Sequence, residues 1–151
     1  MKKILWLGAL VIGLLINTNV QAQYYDGGEM TWEELGRIEW KNYYDELLGI
    51  DVQEPIFNSD LMMKDGEMIT ITGFIIPVDT DDNTMILSAF PFSNCFFCGN
   101  AGPETVMQLD LKHDRSLLNK KVTLKGRLKL NQNDFYKLVY NLKDSEVINV
   151  Q

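Results

Sequence analysis

The chain predicts a mainly β fold, a five-stranded OB-like Greek-key barrel with one N-terminal helix, and three observations carry that expectation. From Glu54 onward the apolar residues recur with a period of two. Five short strand-like runs follow one another, with a longer connector between the third and the fourth. Gly73 and Gly126 fall in mid-strand, where a small barrel coils sharply. A small open sheet packed on the N-terminal helix is the competing architecture.

Residues 1–22 read as a secretory signal peptide. Lys2 and Lys3 form a basic start, Ile4 to Ile16 is apolar, and Val20-Gln21-Ala22 is a small-residue cleavage pattern. The apolar stretch is shorter than the roughly 20 residues of a membrane span, and no second run of that length follows, so no stable membrane insertion is expected after signal removal. Residues 23–53 form a leader and the N-terminal helix. Thr31 and Glu34 have capping-box spacing, Trp32, Leu35, Tyr43 and Leu47 recur at near-helical intervals, and Gly49 suits a C-terminal stop. The spacing therefore predicts a helix over 31–48.

Residues 54–151 form the barrel domain. Strands are expected at Met68–Val78, Thr84–Phe90, Thr105–Leu111, Lys121–Leu130 and Phe135–Leu142. Asp79–Asn83 is a polar turn, His113–Asn119 a connector with about one helical turn, and Asn131–Asp134 a hairpin turn. The clearest alternation runs through Val122, Leu124, Leu128 and Leu130 on one face and Thr123, Lys125, Arg127 and Lys129 on the other.

Charge narrows the function classes. The chain carries 14 basic and 21 acidic residues; loss of Lys2 and Lys3 leaves 12 basic residues and a net charge of −9. An acidic exported domain repels phosphate backbones, so nucleic acid is not an expected partner. The lysine and arginine stripe at Lys120, Lys121, Lys125, Arg127 and Lys129 reads as a solvated strand face. Asp79 to Asp82 lacks the spaced acceptors and terminal Glu of a calcium loop. No phosphate-cradling glycine loop, activated serine or paired carboxylates stand out.

The one chemically distinctive segment is Pro91 to Pro103, a loop that carries Cys95-Phe96-Phe97-Cys98. Two cysteines at this spacing allow a local disulfide, a redox pair or two thiolates for a soft metal such as zinc or copper. A redox pair of the thioredoxin kind needs a helix N-terminus behind it, and Gly99-Asn100-Ala101-Gly102-Pro103 opposes one. A metal centre needs three or four ligands. Cys95, Cys98 and Glu104 form the candidate open set, two chains pooling four thiolates is another, and His113 lies too far along the chain to be the natural third ligand. The aromatic crowding of Phe90, Phe92, Phe96 and Phe97 marks either a binding surface, with Phe92, Phe96 and Phe97 as the partner contacts, or a loop folded back as core.

Gly73-Phe-Ile-Ile-Pro-Val-Asp79, the Cys95-Phe-Phe-Cys98-Gly-x-Ala-Gly-Pro-Glu104 block and Val122-Thr-Leu-Lys-Gly126 resemble a group of uncharacterised secreted proteins from Bacteroidetes-like bacteria. They are also similar to a broader family of periplasmic proteins of unknown function with an OB-like domain and a single Cys in the corresponding loop. The likeness spans roughly residues 54–142. It implies an envelope protein associated with ABC transporters, including metal-uptake systems, with Cys95 and Cys98 at a ligand or partner site. This chain departs from the broader pattern in having two cysteines and in lacking the His and proline run that follow the Cys there.

The combined expectation is a periplasmic or secreted accessory protein without catalysis of its own, binding a transition metal or an envelope partner through the Cys95/Cys98 loop. Thiol–disulfide exchange by the same pair and a purely structural domain are the alternatives.

Overall fold

The computed structural model describes residues 26–47, 49–78, 84–134 and 136–151. The expected signal segment at 1–22 and the polar turn at 79–83 lie outside the described residues.

In chain order the elements are β1 (Asp26–Glu29), α1 (Trp32–Leu35), β2 (Glu39–Asp45), β3 (Ile50–Ile56), α2 (Ser59–Lys64), β4 (Met68–Ile76), β5 (Met85–Ser88), β6 (Val106–Leu109), β7 (Lys121–Leu130) and β8 (Tyr140–Val150). Short 3₁₀ turns at Phe92–Asn94, Phe96–Cys98, Pro103–Thr105 and Arg115–Leu117 punctuate the connections. β4 pairs with β5, β5 with β6, β6 with β8, and β8 with β7; β7 then pairs back onto β4 and closes a five-stranded barrel. All these pairings are antiparallel except that of β6 with β8. The order is that of the OB-like Greek-key barrel expected from the sequence.

Alternation within each strand builds the core. Ile69, Ile71 and Ile75 of β4, Met85 and Leu87 of β5, Met107 and Leu109 of β6, Val122, Leu124 and Leu128 of β7, and Tyr140 and Leu142 of β8 are buried in one apolar cluster. Gly73 and Gly126 stand in the inward row where it passes closest to the neighbouring strand, β5 for Gly73 and β8 for Gly126. A Cβ on Gly73 would lie 2.6 Å from the Ser88 carbonyl oxygen, and one on Gly126 2.7 Å from Leu142 Cγ and 2.8 Å from the Lys143 carbonyl oxygen. The register of β7 on β8 shifts between Lys125 and Arg127, so Gly126 also sits at a bulge.

Two expected elements differ. The helix predicted over 31–48 is one turn, Trp32–Leu35. Its capping box forms as expected, with Thr31 and Glu34 bonded reciprocally, but Gly36 caps it. Trp40, Tyr43 and Tyr44, with strong β preference, go instead into β2, which pairs antiparallel with β3 from Glu39 opposite Ile56 to Asp45 opposite Ile50. Gly49, expected as a helix stop, takes φ +69° at the turn of that hairpin. The fifth barrel strand, expected at Phe135–Leu142, runs from Tyr140 to Val150. The segment before it closes a local network instead: Asn131 donates its backbone N–H to Val139 O at 2.8 Å and its amide to Asp134 O at 2.7 Å. That network ties Asn131 to Asp134 and Val139; Phe135, the expected start of the strand, lies outside the described residues.

Candidate functional site

β5 is buried on both faces. Met85 and Leu87 point into the barrel, whereas Ile86 points out, as do Phe74 and Ile76 beside it on β4 and Val106 and Gln108 on β6. The cysteine loop covers this outer face. Cys95 is wholly buried in a second, smaller cluster with Ile76, Ile86 and Val106, and Phe74, Val78, Phe96 and Leu138 pack against it. The loop therefore neither plugs the barrel nor stands free: it lies on the outer wall, with Cys95 as its anchor.

From that anchor the chain turns tightly. Cys98 N–H donates to Cys95 O at 3.1 Å and Gly99 N–H to Phe96 O at 2.8 Å. Gly99 leaves the turn at φ +75°, a conformation that glycine adopts without strain. Cys98 is exposed at the rim, and its thiol donates to the Phe92 carbonyl at 2.9 Å. Both cysteines are free thiols, so the local disulfide considered from the sequence is not formed; their sulfurs are 4.0 Å apart. Desolvation, the hydrogen bond with Cys95 and the charge of Cys95 raise the Cys98 thiol above its ordinary range.

The loop phenylalanines divide. Phe96 packs on the Cys95 cluster and meets Phe97 edge-to-face, with ring centroids 5.2 Å apart. Phe90, Phe92 and Phe97 each keep somewhat less than half of their surface exposed. Phe96 and Phe97 form one wall of a cleft of about 630 Å³. It is lined as well by Ile86 and Gln108 of the outer barrel face, by Trp40, Gln53 and Pro55 of the β2–β3 hairpin, and by Asn131, Tyr136 and Leu138 from the segment before β8. Phe92 does not line this cleft.

The cleft is electrically quiet. Its charged lining residues, Asp134 and Lys137, bond to each other at 2.6 Å, and the Lys137 hydrogen bond, followed by that from the Tyr136 N–H, holds the Asp134 carboxyl below its usual range. Gln132 donates to Glu54 at 3.0 Å, which ties the connector to β3.

Glu104 does not join the sulfurs. Its carboxylate folds back over Gly102, and its charge, after burial, helps push the Tyr140 phenol above the ordinary range. Among the described residues no group of three or more His, Cys, Asp or Glu is placed to hold a metal ion. His113 is exposed in the connector after β6. On the basic face, Arg127 donates to Gly66 O at 2.7 Å and approaches Asp144 at 3.7 Å, and Lys129 lies 3.5 Å from Asp65, as a solvated strand face requires.

Sequence reasoning missed Trp40 and the 131–139 connector as parts of the site. One signal was present. Phe74-Ile75-Ile76 and Met85-Ile86-Leu87 are apolar without alternation, the mark of strands covered on both faces.

No family model matches the chain, and no curated protein matches it. Among solved structures the chain is similar to a DUF3299 family protein from Pseudomonas aeruginosa PAO1, at 12% identity and a TM-score of 0.46, over 81% of this chain and 93% of that one. Among the described residues no helix is long and apolar enough to cross a membrane.

Proposed function

We propose that this chain is an exported accessory protein, without catalysis of its own, that holds an uncharged, extended segment of an envelope protein in the cleft beside the Cys95/Cys98 loop. The cleft carries the reading: Phe96, Phe97 and Trp40 face a volume of about 630 Å³ over the outer barrel wall, within the roughly 300–1,000 Å³ typical of ligand sites. The lining favours a peptide over a nucleic acid. Its one cation, Lys137, is already bonded to Asp134, and the chain as a whole is acidic, so a phosphate backbone gains no counter-charge. Gln53 and Gln108 carry amides that match peptide N–H and C=O groups, and the aromatic rings suit apolar side chains. The resemblance of the Cys95–Glu104 block makes an ABC-transporter-associated protein of the periplasm the first partner to test.

The metal and redox readings are less well supported by the same geometry. Among the described residues no His, Asp or Glu joins the two thiols in a group placed to hold a metal ion, which falls short of the three or four ligands that zinc takes. For exchange catalysis the accessible thiol, Cys98, is raised in pKa and hydrogen-bonded to Phe92 O, whereas an attacking thiol must ionise readily.

The test is affinity retention of solubilised envelope proteins on the wild-type chain, on Phe97→Ala and on Met62→Ala, an exposed position on α2. A transport component retained by wild type and Met62→Ala but lost by Phe97→Ala supports the proposal. Equal retention on all three overturns it. Stoichiometric copper or zinc in the native protein, removed by Cys98→Ser, transfers the function to the metal reading.

A further inference from the structure

We propose that the Cys95–Cys98 pair is a redox switch that sets the shape of the cleft: disulfide formation draws the Phe96–Cys98 turn inward and weakens binding in the cleft. The inference rests on the cleft being the binding site.

Four observations combine. The sulfurs are neighbours at 4.0 Å without being bonded. The turn between them is closed by the Cys98 N–H to Cys95 O bond; a four-residue turn of this kind holds its ends within about 7 Å, inside reach of a disulfide. The residues between the cysteines, Phe96 and Phe97, are cleft wall. Finally, the two ends are unequally held. Cys95 is locked among Ile76, Ile86 and Val106, whereas the Cys98 side chain is exposed at the rim, held by its thiol bond to Phe92 O and its contact with the Cys95 thiol and not by apolar packing.

The chemistry follows from that asymmetry. A disulfide of low molecular weight, or one on an oxidising protein, is the co-reactant. The small thiolate fraction of Cys98 attacks it, slowly at neutral pH because its pKa is raised, which suits a single switching event and not turnover; a mixed disulfide forms and one thiolate is released. The Cys95 sulfur, which needs no access to solvent because its target lies beside it, then loses its proton, attacks Cys98 Sγ and expels the second thiolate. Two protein thiols are oxidised, one disulfide is reduced to two thiols, and the two protein protons pass to solvent or to the leaving thiolates. Closure brings the sulfurs from 4.0 Å to about 2.05 Å. The Cys98 proton is gone, so its bond to Phe92 O is lost as well. Cys95 is packed and Cys98 is not, so the movement falls on the turn that carries Phe96 and Phe97.

The experiment compares the dithiol protein with protein oxidised by glutathione disulfide. It follows the Trp40 indole and the Ile86 and Leu138 methyl signals by NMR, and the affinity for the dye 1-anilinonaphthalene-8-sulfonate as cleft probe. Oxidation is expected to shift all three residues and to weaken the dye by about threefold or more; a reductant restores both. Cys98→Ser, at the exposed position, abolishes the response, and Cys95→Ala does the same if it folds. A disulfide that forms while the Trp40, Ile86 and Leu138 signals stay in place overturns the switch, as does a pair that resists oxidation in the folded protein. If partner retention fails in the envelope assay while these shifts occur, the binding reading falls and the switch stands as a conformational property.

Discussion

Tyr140 donates its phenolic hydroxyl to the backbone carbonyl of Leu35 at 2.6 Å, across 105 positions of sequence. The bond joins the start of the last barrel strand to the end of the N-terminal helical turn, and both residues are fully buried. Trp32 adds a second tie through its indole N–H to Thr72 O at 2.8 Å. The N-terminal segment is thus docked on the barrel by hydrogen bonds as well as by the burial of Leu35.

Tyr140→Phe leaves the Leu35 carbonyl buried without that donor, and the expected loss is about 1–3 kcal/mol in urea unfolding. pH adds an independent signature. Burial, then the charge of Glu104, favours the neutral phenol in the folded state. The folded chain therefore binds this proton more tightly than the unfolded chain. Stability from this group is fully present below the ordinary phenol range and falls as pH rises past about 10. Unfolding measured across that range should show a shallower alkaline decline in Tyr140→Phe; an unchanged slope would remove Tyr140 as its source.

Alanine at Gly73 or Gly126 should destabilise by about 2–3 kcal/mol, near the upper end of overpacking costs. Each new methyl meets a backbone carbonyl, Ser88 O at 2.6 Å or Lys143 O at 2.8 Å, that only a strand displacement could relieve. Gly102→Ala is the contrast. The three atoms nearest its methyl all belong to the end of the Glu104 side chain, which has rotamers to spare, so its thermal midpoint should stay close to wild type.

The two cysteines should behave differently. Cys95→Ala opens a void among Ile76, Ile86 and Val106 and should cost about 1–3 kcal/mol, whereas Cys98→Ala should lie within about 0.5 kcal/mol of wild type. In the reduced native protein a thiol reagent should label Cys98 alone, slowly at neutral pH and faster as pH rises, because the raised pKa keeps it protonated. Labelling of Cys95 before unfolding would show that the loop does not hold its packing.

Phe97→Ala should leave the unfolding midpoint within about 0.5 kcal/mol of wild type while abolishing partner retention, because the ring is 44% exposed. Phe96→Ala should lose both stability and retention, since that ring also packs on the Cys95 cluster. Comparable stability losses in the two variants would mean that Phe97 serves the core.

Much of the barrel was legible because its signals are local. Lys121–Leu130 alternates residue by residue, and the strand lies where the alternation places it. The capping box at Thr31 and Glu34 likewise forms as written, since it needs only four residues in register. The helix expected beyond it failed because near-helical spacing of Trp32, Leu35, Tyr43 and Leu47 fits a helix only if the chain between has no better partner. β3 supplies one, pairing all seven positions of β2. The last strand was misplaced for a related reason. Tyr140-Asn-Leu142 is apolar enough to end a strand, yet the long run of β7 needs a partner reaching past Lys143 to Val150.

By itself the amino-acid order determined the period-two face that builds the barrel, the two inward glycines that let it close, and the concentration of sulfur and aromatic rings in one loop. Those features depend on neighbours a few positions apart. Only the tertiary structure decided that the loop lies on the outer wall and not in the barrel mouth, that Cys95 is sealed while Cys98 stays at the rim, and that Trp40 and the 131–139 connector complete a cleft with Phe96 and Phe97. The physical reason is that burial depends on what the rest of the chain brings to a surface. The same Cys-Phe-Phe-Cys run is core on one side and solvent-facing on the other because Ile76, Ile86 and Val106, from three separate strands, meet beneath it.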